Sequence, residues 1–182
     1  MTDELELLRE VRAFDLEALS VVFDRYYDPI YRFIYHHVHH IQAAEDLAAK
    51  VFQRLLTQIA AGNGPEQHLK AWLFRVAYHL IVDDARRQQH RNHDELTEDT
   101  AISASVETDA AAALLVAQAY TALERLTAGQ RDVIILRYLM AMTPGETAAI
   151  LNLSVGAVKA LQHRGLTALR QEMQVAKEGD YE

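Results

Sequence analysis

The side chains best placed for chemistry in this 182-residue chain lie between Thr143 and Arg164, in TPGETAAILNLSVGAVKALQHR. Thr143, Pro144 and Glu146 have the spacing of a capping box with proline at the first helical position. Asn152-Leu153-Ser154 is turn chemistry, and Ser154 can cap a second helix. A short helix, a three-residue turn and a second helix with a small N-terminus make a helix-turn-helix. The second helix turns Val155, Val158, Leu161, Leu166 and Leu169 to one side. Its other side offers Gly156, Ala157, Lys159, Ala160, His163 and Arg164. The chemistry is recognition of DNA, with cations and free helix N–H groups for phosphates and polar side chains for base edges.

A second set follows the break Ala61-Gly62-Asn63-Gly64-Pro65. From His68 to Arg91 one long helix is expected, with Leu69, Trp72, Leu73, Val76, Leu80 and Ile81 on its buried side. The rest of it mixes cations with aromatics: Lys70, Arg75, Tyr78, His79, Arg86, Arg87, His90 and Arg91. That mixture suits single-stranded or melted DNA, where cations track phosphates and rings stack on bases. An ordinary solvated face with a basic end is the competing reading. Elsewhere no nucleophile–base arrangement, phosphate loop or metal set stands out, so neither an enzyme nor a cofactor is expected. With no cysteine, disulfides and thiolate metal sites are excluded. His36 and His40 are four apart, a spacing that can hold a metal on one helical face. Imidazoles complementing a helix C-terminus are the simpler reading, and no metal is assigned.

The elements that must carry these residues are helices. Half the chain is apolar, a quarter is charged, and Gly and Pro number only seven and three. This suits an all-α fold better than a β-sandwich. Residues 4–12 give a short amphipathic helix with Leu5 and Leu8 together. Asp15 can cap a helix bearing Leu19, Val22, Phe23, Tyr26, Ile30, Phe33, Ile34 and Val38, which Pro29 restarts or kinks. Gln42–Ala60 follows, with Leu47, Val51, Leu55 and Ile59 inward and Glu45 and Asp46 in its first turn, where the dipole favours acids. Residues 92–108, NHDELTEDTAISASVET, are acidic and without apolar periodicity, so they read as a linker. Asp109 can cap a helix through Leu126, with Leu115, Ala119, Ala122 and Leu123 inward. Thr127 to Gln130 is a second capping box, opening a helix with Val133, Ile134, Leu136 and Tyr138. The last helix is expected to end near Met173, before an acidic tail that frays.

Two small domains result, 1–91 and 109–174, joined by the acidic linker 92–108 and followed by a tail, 175–182. The net charge of −8 speaks against simple nonspecific DNA binding. Residues 92–118 alone hold six acids and no Lys or Arg, whereas residues 119–173 hold four acids against six Lys and Arg. Such a chain suits DNA binding within a larger complex. The absence of a long apolar run or a basic-then-apolar N-terminus makes the cytoplasm the expected location.

Three segments together resemble the extracytoplasmic-function (group four) sigma factors of bacterial RNA polymerase. DRYYDPIYRFIYHHVHHIQAAEDLAAKVFQRLL is similar to the first part of the family's region two. LKAWLFRVAYHLIVDDARRQQHR resembles its promoter-melting helix. ALERLTAGQRDVIILRYLMAMTPGETAAILNLSVGAVKALQHRGLTALR resembles region four. The resemblance covers about residues 5–173. It implies contact with core RNA polymerase at Glu45, Asp46 and Leu47. It implies capture of an unstacked base of the −10 element by the loop 62–68, with Asn63 as the base contact. Lys70, Arg75, Tyr78, His79, Arg86 and Arg87 would line or brace the −10 DNA, and Trp72 is core before it is a contact. Ser154, Lys159, Gln162, His163 and Arg164 would meet the −35 element, and Arg137 a phosphate. The acids Asp94, Glu95, Glu98 and Asp99 would pass toward the polymerase active-site path, and an anti-sigma factor is an implied partner. The chain departs from the common VKSRLHRAR in reading VKALQHRGL from Val158, which removes two arginines and a serine. After AEDL, the common polar-acidic pair is Ala49-Lys50. The resemblance thus implies a promoter-specificity subunit. The alternatives are a stand-alone helix-turn-helix regulator and a sigma-like interaction protein that does not initiate.

Overall fold

The computed structural model describes residues 2–91 and 110–179, and all regular structure among them is helical. The chain divides into two compact units, Met1–Ile102 and Ser103–Glu182. The acidic stretch 92–108 and the Asp109 cap lie outside the described residues.

The first unit holds four helices, α1 (Thr2–Arg12), α2 (Leu16–Val38), α3 (Ile41–Ala60) and α4 (Leu69–Arg91). Asp15 starts α2 by accepting the Ala18 N–H at 2.9 Å. The helix runs through Pro29 without ending, although proline removes the bond to the Arg25 carbonyl. It stops where His39 turns left-handed, φ 51°, and donates its N–H to Tyr35. Ile30, Phe33 and Ile34 of α2, Leu55 of α3 and Leu69, Leu73 and Phe74 of α4 are almost wholly buried. The Phe33 and Phe74 rings meet with centroids 5.3 Å apart, joining α2 to α4. Leu7, Leu8 and Val11 of α1 close one side, so the expected Leu8 is inward, whereas Leu5 is half exposed.

The histidines at the α2–α3 corner do not form a pair on one helix. His40 is the N-cap of α3, its Nδ1 accepting the Ala43 N–H at 3.2 Å. His37 Nδ1 bonds the Phe33 carbonyl at 2.8 Å. His36 is pushed down to about 4, first by burial and then by His37, His39 and Arg32. It is neutral at pH 7, so the expected charge–dipole role does not hold for it.

The second unit holds α5 (Ala110–Glu124), α6 (Ala128–Ile134), a π-helical turn (Ile135–Leu139), α7 (Pro144–Leu151) and α8 (Val155–Gly179). Ala122 and Leu126 are buried, but Leu115 is 47% exposed rather than inward. α8 continues past the expected end near Met173 to Gly179. Arg125 and Glu172 pair at 2.9 Å across the α5–α6 junction and α8. Both are partly exposed, so the pair adds little stability.

His36 makes stability depend on acid. Its folded value lies below the ordinary 6.5, so the unfolded chain takes up the proton first as pH falls. Its contribution is complete above about 6.5 and is lost as pH drops toward 4. We expect His36→Gln to lose less thermal stability between pH 7 and pH 5 than the wild type. An unchanged difference would contradict this assignment.

Candidate polymerase and nucleic-acid interfaces

Glu45 and Asp46 are exposed on α3, whereas Leu47 is buried. The helix begins at Ile41, one residue earlier than expected, so the acids are its fifth and sixth residues. The dipole effect fades beyond the first turn, so helix stabilisation does not account for them. Leu47 anchors this part of α3 in the core. Beside Glu45 runs a feature that the apolar periodicity alone did not single out. Phe23, Tyr27, Tyr31 and Tyr35 recur every four residues and stack along α2 with centroid spacings of 4.9, 6.4 and 5.8 Å. Phe23 and Tyr27 also pack on Phe52 of α3. The Tyr31 phenol is raised above its usual value, chiefly by desolvation and next by Glu45. The signal was the spacing in FDRYYDPIYRFIY.

The loop before α4 holds Asn63 exposed between fixed points. Asn63 donates its backbone N–H to Gln58 at 2.8 Å. Gly62 sits at φ 73°, a conformation glycine adopts without strain. Gly64 and Pro65 are buried, and a Cβ on Gly64 would stand 3.0 Å from Ile59 Cγ1. Arg12 reaches Glu66 at 3.4 Å. α4 then sets Arg75, His79 and Arg86 along one exposed line, with Arg87 exposed beside it. Lys70, Trp72 and Tyr78 are half-buried, and Lys70 and Tyr78 already interact with neighbours. Asp83 interrupts the cations and approaches Arg86 at 4.0 Å. Leu80, expected inward, is half-buried, and Phe74 and Ala77 take its place in the core.

The helix-turn-helix is capped as its residues dictate, although Val155, expected inward, is 43% exposed at the start of α8. Thr143 Oγ1 accepts the Glu146 N–H at 3.2 Å, and Glu146 accepts the Thr143 N–H at 2.7 Å. Asn152 ends α7 in a left-handed turn, φ 54°. Ser154 Oγ accepts the Ala157 N–H at 3.1 Å and so starts α8. Val158 is fully buried with Val133 and Ala148, and Leu151 and Leu161 pack on that cluster. Leu161, which stands where many relatives carry arginine, is therefore part of the support for α8. Lys159, Ala160, His163 and Arg164 face outward. Arg137 and Gln162 are half-buried and bonded to each other, Nε to Oε1, at 3.2 Å. Gln162 also donates to the Tyr138 hydroxyl at 2.9 Å. Tyr138, expected as an apolar helix position, is 51% exposed. The chain is π-helical from Ile135 to Leu139, which shifts the α-helical register so that Leu136 stays buried while Tyr138 and Leu139 are exposed.

Among the described residues no group of three or more His, Asp or Glu is placed to hold a metal ion. None of their helices is long and apolar enough to cross a membrane.

Residues 22–91 match the model for Sigma-70 region 2, and residues 122–171 that for Sigma-70, region 4. The ECF RNA polymerase sigma factor SigX of Bacillus subtilis is 32% identical over 178 residues, covering 89% of this chain and 87% of SigX. The ECF RNA polymerase sigma factor BldN of Streptomyces coelicolor is 29% identical over 168 residues, and the match covers 91% of this chain but 64% of BldN. The fold is similar to that of the sigma factor RpoE from Bartonella quintana, solved with the anti-sigma factor NepR. The TM-score is 0.71 at 23% identity, over 90% of this chain and 98% of that one.

One packing contact behind α8 is directly testable. A Cβ on buried Gly165 would meet Ile134 Cγ1 at 3.1 Å. We expect Gly165→Val to destabilise the protein by about 1–3 kcal/mol through overpacking. Gly165→Ala should cost less, because helix propensity returns about 1 kcal/mol. Thermal unfolding checks this, and a valine variant as stable as wild type would refute the contact's importance.

Proposed function

The chain belongs to the extracytoplasmic-function sigma factors of RNA polymerase, and from that membership we propose how its two units share promoter selection. Residues 1–91 bind core polymerase through exposed Glu45 and Asp46. They also capture the melted −10 strand with Asn63 and the cationic line of α4. Residues 109–174 hold the −35 duplex, and the acidic residues 92–108 join the two. The observation that carries this reading is α8 itself. One side is buried against α6 and α7, and the other presents Lys159, His163 and Arg164. Its first turn is open to a phosphate, and its next turns reach base edges in the major groove. Lys159 and Arg164 contribute charge, and His163 a hydrogen-bonding ring.

The chain's weak basic character fits this division. A reader held on DNA by a polymerase needs few phosphate contacts of its own, because the complex supplies the rest. Catalysis belongs to the polymerase. An anti-sigma factor is the natural antagonist, since RpoE, which has the same fold, is found bound to one.

Two variants of the full chain separate the two grips. Glu45→Arg with Asp46→Arg should abolish association with core polymerase in gel filtration while leaving helix content unchanged. Lys159→Ala should preserve that association, yet weaken −35-dependent transcription and lower the salt slope of promoter binding by about one. Retained polymerase binding in the first variant, or an unaltered slope in the second, would sink the corresponding assignment.

A further inference from the structure

Gln162 is half-buried at the flank of the recognition helix, one turn after Val158, and a glutamine that reached the groove from such a helix would read adenine. That contact requires the side-chain oxygen and nitrogen together. Each already makes one bond that fixes the amide's orientation toward the π-helical turn: Oε1 accepts from Arg137 Nε at 3.2 Å, and Nε2 donates to the Tyr138 hydroxyl at 2.9 Å. Arg137 is fixed in turn by a bond to the Met142 carbonyl, at the entrance to α7. The bridge therefore ties the π-helical turn to both helices of the helix-turn-helix.

We propose that Gln162 is a positioning residue, not a base reader, and that it aims the Tyr138 hydroxyl at a backbone phosphate of the −35 element. The proposal rests on the promoter reading above. A hydroxyl that accepts a bond from Gln162 keeps its own proton to donate. Tyr138 is 51% exposed, so the residue lies at the surface beside α8. Gln162 and Lys159 are three residues apart and so neighbours on α8, which puts the Tyr138 hydroxyl that Gln162 holds and the Lys159 side chain on adjoining parts of its surface. A phosphate between them would receive one neutral and one charged donor. The π-helical turn is what brings Tyr138 there. It keeps Ile134, Ile135 and Leu136 all in the core while sending Tyr138 outward to α8.

The test uses the full chain assembled with core polymerase and a set of promoters carrying every single base-pair change in the −35 element. Tyr138→Phe keeps the ring and removes only the hydroxyl. It should weaken binding about tenfold on every sequence, the size expected for a hydrogen bond to a charged group. The preferred bases and the salt slope should stay as in wild type, because no cation is lost. Gln162→Ala should produce the same uniform loss. The double variant should be no weaker than either single one, since both remove one coupled contact. Three results overturn the inference: Tyr138→Phe binding as wild type, Gln162→Ala changing the preference at one base pair, or additive losses in the double variant. A wild-type chain without any −35 preference overturns the promoter reading and this inference with it. Wild-type preference with an unaffected Tyr138→Phe overturns this inference alone.

Discussion

The second unit depends on one contact, the burial of Val158 between Val133 and Ala148. A recognition helix must be gripped hard from behind, because its first turns have to stay open to the groove. Val158 is the first residue of α8 that is fully buried. Everything around it serves to fix that residue. The Thr143–Glu146 capping box sets where α7 begins, and the left-handed Asn152 sets where it ends. Such a cap contributes about 1 kcal/mol, little beside the burial of apolar surface. Its value lies in fixing which residue of α8 points inward. Once Val158 points inward, Lys159 and His163 must point outward, and Gly165 must lie against Ile134.

The first unit solves a different problem, presenting two polar surfaces on one apolar core. Phe33 and Phe74 lock α2 to α4, and Leu55 brings α3 to them. Four-residue periodicity then leaves Glu45 outward while Leu47 goes in. The loop to α4 is pinned on both sides of Asn63, by a backbone bond to Gln58 before it and by Gly64 against Ile59 after it. Under the proposed −10 role, a base contact at Asn63 would gain from this arrangement, because little entropy remains to be lost on binding.

Much of this was legible in the residues. Caps at Asp15, Thr127, Thr143 and Ser154, and the helix-turn-helix they frame, follow from local hydrogen-bond chemistry. What was not legible came from tertiary partners or from register. Leu5 and Leu115 look like core by spacing, but each is about half exposed, because packing and not spacing decides which residues of a helix are covered. An α-helical period through Ile135–Leu139 would turn Tyr138 inward, but the chain is π-helical there. Arg137 and Gln162 have the types of DNA contacts, and only coordinates reveal that they bond each other. His40 looked like the end of one helix and is the cap of the next.

The central claim is that this chain directs core RNA polymerase to particular promoters. The most direct measurement adds the purified wild-type chain to core polymerase on a genomic promoter pool and sequences the transcripts. The account predicts discrete start sites that share a −35 and a −10 sequence at fixed spacing. Tight binding to core polymerase with no such start sites would contradict it.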